Sequence, residues 1–162
     1  MQEEQSSAIV SSPGGFPLWS DDYEAAWIGL LTTYRRLIRD LDSELETAHG
    51  LTMSGLELLV RLATAADHWL RLSTLAAEAN LSLSRVSRIV DVLEARELVE
   101  RRPCPDDARA INAVLTERGM EVAKAAQETH LAAVRERFFD RLDEHEVQVL
   151  GTVFARLNAQ SR

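Results

Sequence analysis

Ser82, Ser84, Arg85, Ser87 and Arg88 fall within one short stretch, and a cluster of that kind is suited to holding a polyanion. Small hydroxyls let a helix approach phosphates closely, and each arginine carries a fork of donors that fits phosphate oxygens or the edge of guanine. If Val86, Ile89, Val90 and Leu93 face inward, helical geometry turns Ser84, Arg85, Ser87, Arg88 and Asp91 outward. Ser82 and Ser84 then sit where a helix N-terminus offers free backbone N–H groups to an anion. A plain solvated helix face also carries Arg and Ser, so the cluster alone does not decide. A second feature follows in Arg102-Pro103-Cys104-Pro105-Asp106-Asp107-Ala108-Arg109. An aspartate two residues before an arginine can accept its guanidinium and hold the long side chain in one direction. At a hairpin tip bracketed by Arg102 and Arg109, an aimed Arg109 suits a narrow, electronegative minor groove. The alternative is a loop ion pair worth at most about 1 kcal/mol.

The elements that would position these groups can be read from periodicity. Residues 1–18, rich in Gln, Ser, Pro and Gly, read as a disordered arm. Asp21 and Glu24 have capping-box spacing, and Trp27, Leu30, Leu31, Tyr34, Leu37, Ile38, Leu41 and Leu45 then follow at helical steps. This predicts one long helix from about residue 19 to His49-Gly50. Thr52 is the expected N-cap of a second helix with Leu56, Leu59, Val60 and Ala63 on one face. A very short strand over residues 69–72, a helix 74–79 capped by Ser73, and a helix from Ser82 to about Glu97 come next. Two strands, 98–102 and 110–115, flank a loop, with proline kept out of their interiors. Thr116 caps a long helix to about Phe139, and a last helix from Asp143 aligns Val147, Leu150, Phe154 and Leu157. Helices 74–79 and 82–97 around a tight turn form a helix-turn-helix, whose second helix would enter a major groove.

Composition bounds the function. The 162 residues suffice for a core without staples, and 46% hydrophobic with 27% charged residues is ordinary for a globular protein. No apolar run approaches the roughly 20 residues of a membrane span, and no secretory signal pattern opens the chain, so a cytoplasmic location is expected. One cysteine cannot build a disulfide framework or a thiolate-rich zinc site. No cofactor is expected. The net charge of −8 weighs against nucleic acid, but it is unevenly placed: residues 1–50 hold nine acidic side chains against three arginines, whereas residues 85–110 hold six of each. Local basic sites remain at Arg85 and Arg88, at Arg101 and Arg102, and at Arg109.

The stretch from Leu51-Thr52 to Gly119 resembles the MarR (multiple antibiotic resistance regulator) family of winged helix regulators. The resemblance is carried by Leu81–Glu94, Leu98-Val99-Glu100-Arg101-Arg102, Asp107-Ala108-Arg109-Ala110 and Leu115-Thr116-Glu117-Arg118-Gly119. Each segment is unspecific alone; their order and spacing are specific. Glu97 departs from the family's usual glycine. The resemblance implies a mainly α fold with a small β-hairpin wing and dimerisation helices at both ends. It divides the chain into the arm 1–18, a dimerisation helix 19–49, a DNA-binding lobe 50–115 and C-terminal dimerisation helices 116–162. It implies a bacterial, ligand-responsive regulator, in most relatives a repressor, that binds a pseudo-palindromic double-stranded operator as a homodimer. By position, Ser84, Arg85, Ser87 and Arg88 would meet bases or nearby phosphates, and Arg102 counts among the DNA-binding residues. Arg109 steadied by Asp107 would enter the minor groove, and Ser73, Thr74 and Ser82 would hold phosphates. A small aromatic or anionic effector would meet Trp27, Leu30, Thr33, Tyr34, Arg36 and Met53, although an aromatic stripe at helical spacing is more often core.

Other classes have less support. Cys104, expected to be exposed in the wing beside Arg101 and Arg102, raises a redox-sensing alternative. A metal-responsive alternative has only scattered histidines at 49, 68, 130 and 145. No glycine-rich phosphate loop, nucleophile elbow or paired carboxylates suggest an enzyme.

Overall fold

A computed structural model describes residues 8–104 and 107–159, with the side chains of 108 and 109 excepted. The chain forms two units, one up to Arg39 and one from Asp40 onward. Among the described residues, no helix is long and apolar enough to cross a membrane.

In the first unit, β1 (Ile9–Ser11) and β2 (Pro17–Trp19) pair antiparallel, with Ile9 opposite Trp19. This hairpin corrects the expectation of a disordered arm over the described part of residues 1–18. Its turn is closed by the Gly15 and Phe16 amides, which donate to the Ser12 carbonyl and hydroxyl, and Gly15 supplies the positive φ of +75°. Helix α1 (Asp21–His49) begins one residue earlier than the capping-box spacing implies: Ser20 flanks it and accepts from the Glu24 amide. The predicted stripe is there, but Trp27, Leu30, Tyr34 and Ile38 remain exposed, and burial begins at Leu41 and Leu45.

The second unit holds the core. Helix α2 (Met53–Thr64) starts as expected, with the Thr52 hydroxyl accepting from the Gly55 amide at 3.1 Å. Its buried face is wider than predicted, since Leu58 and Leu62 are fully covered alongside Leu56 and Leu59. Strand β3 (Trp69–Arg71) runs directly into α3 (Leu72–Glu78). Burial of Leu72 draws it into the first helical position, so Ser73 is an in-helix residue and does not cap. Helix α4 (Leu83–Ala95) is followed by β4 (Val99–Cys104) and β5 (Asp107–Leu115). The three-stranded sheet has the order β3-β5-β4, so β4 is an edge. Pro103 therefore lies inside a strand, contrary to expectation, at a register shift next to Cys104, where an edge tolerates a residue without an N–H. Helix α5 (Glu117–Arg137) is capped by Thr116, whose hydroxyl accepts from the Gly119 amide. After a single turn of 3-10 helix, α6 (Glu144–Ala159) opens on a reciprocal capping box: the Asp143 amide donates to Glu146, and the Glu146 amide to Asp143. No residue of α6 is buried.

Three helices leave by a similar device, a left-handed residue followed by an amide reaching five or six residues back. Gly50 ends α1 (φ +62°), Asn80 ends α3 (φ +52°) and Glu97 ends α4 (φ +60°). The Leu51, Leu81 and Leu98 amides donate to Leu45, Ala76 and Leu93 respectively. Gly and Asn suit this conformation, whereas glutamate is strained there by about 1–2 kcal/mol. Its ion pair with Arg118, at 3.0 Å and largely exposed, offsets at most about 1 kcal/mol. Glu97→Gly is therefore expected to stabilise the fold by about 0.5–1 kcal/mol, seen as a Tm higher by about 1–4 °C in thermal denaturation. A lower Tm would show that the ion pair outweighs the strain.

Candidate nucleic-acid interface

Helix α4 is held so that its solvent face is fixed. Val86, Val90 and Leu93 are buried, Ile89 is half-buried, and Ser84, Arg85, Arg88 and Asp91 face outward. The Ser82 hydroxyl caps the helix by accepting from the Arg85 amide at 3.3 Å, and lies 3.1 Å from the Ser84 hydroxyl. Arg85 and Arg88 are exposed and have no ion-pair partner among the described residues. An arginine left without a carboxylate on a net-acidic protein is free to take an external anion.

Arg101, counted in the sequence as local basic charge, serves a different purpose. It reaches from β4 to the flank of α4, where it pairs with Asp91 at 2.8 Å and with Glu94, and donates to the carbonyl and hydroxyl of Ser87. Its backbone N–H donates to Glu94 at 2.9 Å. That amide, and then the guanidinium, hold the Glu94 carboxyl below the usual carboxylate range. The tether is thus charged at neutral pH and weakens only as pH falls through that lowered value. Ser87 is half-buried and turned toward the wing, not outward as predicted, because Arg101 takes both of its acceptors. The sequence held no periodic signal for this cluster, since its members come from a helix and a strand.

Arg102 pairs with Glu100 at 2.8 Å, and both are exposed enough that the pair is weak. Asp107 is exposed at the start of β5. The backbone of Arg109 lies in β5, while its side chain, together with Pro105 and Asp106, is outside the described residues. Ser73 and Thr74 are exposed in the first turn of α3. Cys104 is buried, not exposed as expected, and its sulfur accepts from Arg71 Nη2 at 3.2 Å. The irregularity beside Pro103 accompanies its inward position.

The effector residues expected on α1 are only partly gathered. Trp27 and Leu30 line a shallow apolar depression of about 300 Å3 with Trp19, Tyr23 and Ala26. Thr33, Tyr34 and Arg36 do not line it. Met53, expected among them, instead packs against the core of the second unit as the first residue of α2. Among the described residues, no three of His, Cys, Asp and Glu gather where they could hold a metal ion. His49 Nε2 lies 2.8 Å from the Thr129 hydroxyl, and burial lowers the pKa of His130.

A helix-turn-helix (α3, Asn80 turn, α4) followed by a β4–β5 hairpin and preceded by a short strand is a winged helix-turn-helix lobe. The sequence pattern of the MarR family matches residues 49–110, which span that lobe from the end of α1 into β5. The transcriptional repressor YetL of Bacillus subtilis (strain 168) is 30% identical over 112 residues, 67% of either chain. AbsC, a MarR family transcriptional regulator from Streptomyces coelicolor, superposes with a TM-score of 0.83 at 32% identity, covering 90% of this chain and 97% of that one. Sco3205 from the same organism, a MarR family transcriptional regulator solved in complex with DNA, gives 0.84 at 30% identity over 90% and 94%. The chain belongs to the MarR family of transcriptional regulators. Its relatives are regulators, not enzymes.

Proposed function

We propose that this protein is a cytoplasmic repressor that binds a pseudo-palindromic operator as a homodimer. The observation that carries the reading is the division of labour among arginines on one lobe: Arg101 is consumed in holding α4 to the wing, while Arg85 and Arg88 stand exposed on α4 with no ion-pair partner among the described residues. In the major groove, Ser84, Arg85 and Arg88 meet base edges and adjacent phosphates, and Ser73, Thr74 and Ser82 meet phosphates. Ser87 acts by holding Arg101. Arg102 exchanges its weak partner Glu100 for a phosphate, and Arg109, steadied by Asp107, enters the minor groove.

Dimerisation is supported by the apolar residues that one chain leaves uncovered. Trp27, Leu30, Tyr34 and Ile38 on α1 are exposed, as are Phe154 and Leu157 on α6, which has no buried residue. Exposure on that scale marks an interaction surface. An aromatic or anionic small molecule is the effector class proposed, meeting Trp27, Leu30, Thr33, Tyr34 and Arg36. It would release DNA by binding the non-binding arrangement more tightly.

Selection from random duplex DNA tests the reading. An inverted repeat with half-site centres about one helical turn apart is expected; no enrichment at all would overturn it. On the recovered duplex, Arg109→Ala is expected to weaken binding at least about tenfold in a gel-shift titration at fixed salt. Wild-type affinity would remove the wing from the interface.

A further inference from the structure

Arg96 follows α4 immediately, at the residue that closes its last turn. Its guanidinium reaches back to the end of α1, donating to the carbonyls of Gly50 and of His49, the latter at 2.8 Å. Carbonyls at a helix C-terminus lack intrahelical donors and carry the negative end of the helix dipole, so a forked cation satisfies them twice over. Helix α4 does not need this group for its own exit: the Arg96 and Leu98 amides already serve Leu93, and the Glu97 amide serves Glu94. The last turns of α1 are in turn tied to α5, through the ion pair of Glu44 with Arg137 and the approach of His49 to Thr129.

From this geometry we infer that Arg96 is a positioning residue that fixes the end of the recognition helix against the α1–α5 pair, and so sets the separation of the two recognition helices in the dimer. The inference rests on the dimeric DNA-binding reading above. Among the described residues, two polar links act on α4 and differ in reach. The Arg101 cluster joins α4 to its own wing. Arg96 joins α4 to α1. Leu45, Leu51 and Leu93 belong to the same buried apolar cluster, and apolar burial is non-directional. A planar fork on two oxygens is directional. Half-site spacing is the property such a link would govern, because one base pair more or less moves a half-site along and around the duplex.

The test uses the full chain and three duplexes carrying the selected half-sites: at the recovered spacing, and with one base pair inserted or removed. Wild type is expected to prefer the recovered spacing by about tenfold or more. Arg96→Met keeps the aliphatic stem, and is expected to bind the recovered spacing about tenfold more weakly and to discriminate less than about threefold. Arg96→Lys retains the charge but not the fork, and is expected to fall between the two, giving a second reading if the methionine variant is unstable. If either folded variant keeps wild-type discrimination, whatever its Tm, Arg96 is only a helix cap and the inference fails alone. If wild type binds none of the duplexes, the DNA-binding reading fails and takes the inference with it.

Discussion

The double variant Arg85→Ala, Arg88→Ala is expected to lose at least about 100-fold in operator affinity while melting at the wild-type temperature. A well-placed arginine fork on a base edge contributes about 1–3 kcal/mol, and each protomer would lose two arginines. Stability should be unaffected because both side chains are exposed and have no ion-pair partner among the described residues; such surface changes stay within about 0.5 kcal/mol. Fluorescence anisotropy at fixed salt, beside thermal denaturation, separates the two effects. A loss below about threefold would mean that the outer face of α4 is a solvated surface and nothing more.

Gly119→Ala is expected to damage the fold. Alanine is the better helix former by about 1 kcal/mol, so propensity alone predicts stabilisation. Steric contact decides otherwise: a Cβ there would stand 2.0 Å from the Leu98 carbonyl oxygen and 2.8 Å from Leu115 Cδ1. The start of α5 must then move away from the α4–β4 junction. That movement strains the Thr116 amide bond to Leu98 and the Thr116 hydroxyl bond to Glu97. Overpacking of about 1–3 kcal/mol together with a weakened cap of about 0.5–2 kcal/mol exceeds the propensity gain. A net loss of about 2–3 kcal/mol should lower Tm by about 4–12 °C. A rise in Tm would show that the junction yields freely.

Much of the positioning machinery was legible in the sequence because it is periodic or local. The inward face of α4, the Thr52 and Thr116 caps and the stop at Asn80 each depend on residues within a few positions of one another. What escaped reading depends on tertiary placement. The N-terminal hairpin has strands of three residues, too short for an alternation to register against a Gly- and Pro-rich composition. Ser73 does not cap α3 because buried Leu72 takes the first helical position. The roles of Arg101 and Arg96 are long-range hydrogen bonds, and one-dimensional spacing cannot distinguish a committed guanidinium from a free one. Cys104 looked exposed between two prolines until the irregular edge strand carried it inward. Glu97 shows the converse: a departure from the family pattern, visible in sequence, acquires its physical meaning from a φ of +60°.

The net charge of −8 also takes on meaning from these assignments. An acidic body gives DNA little general attraction, so binding depends on the small number of arginines at the proposed interface. The most direct measurement of this claim is the salt dependence of affinity for the selected duplex. Arg85, Arg88, Arg102 and Arg109 from each of two protomers predict a log–log slope of up to about −7, together with binding to unrelated duplex too weak to titrate under the same conditions. An affinity that does not change with salt, or equal affinity for unrelated DNA, would contradict the account.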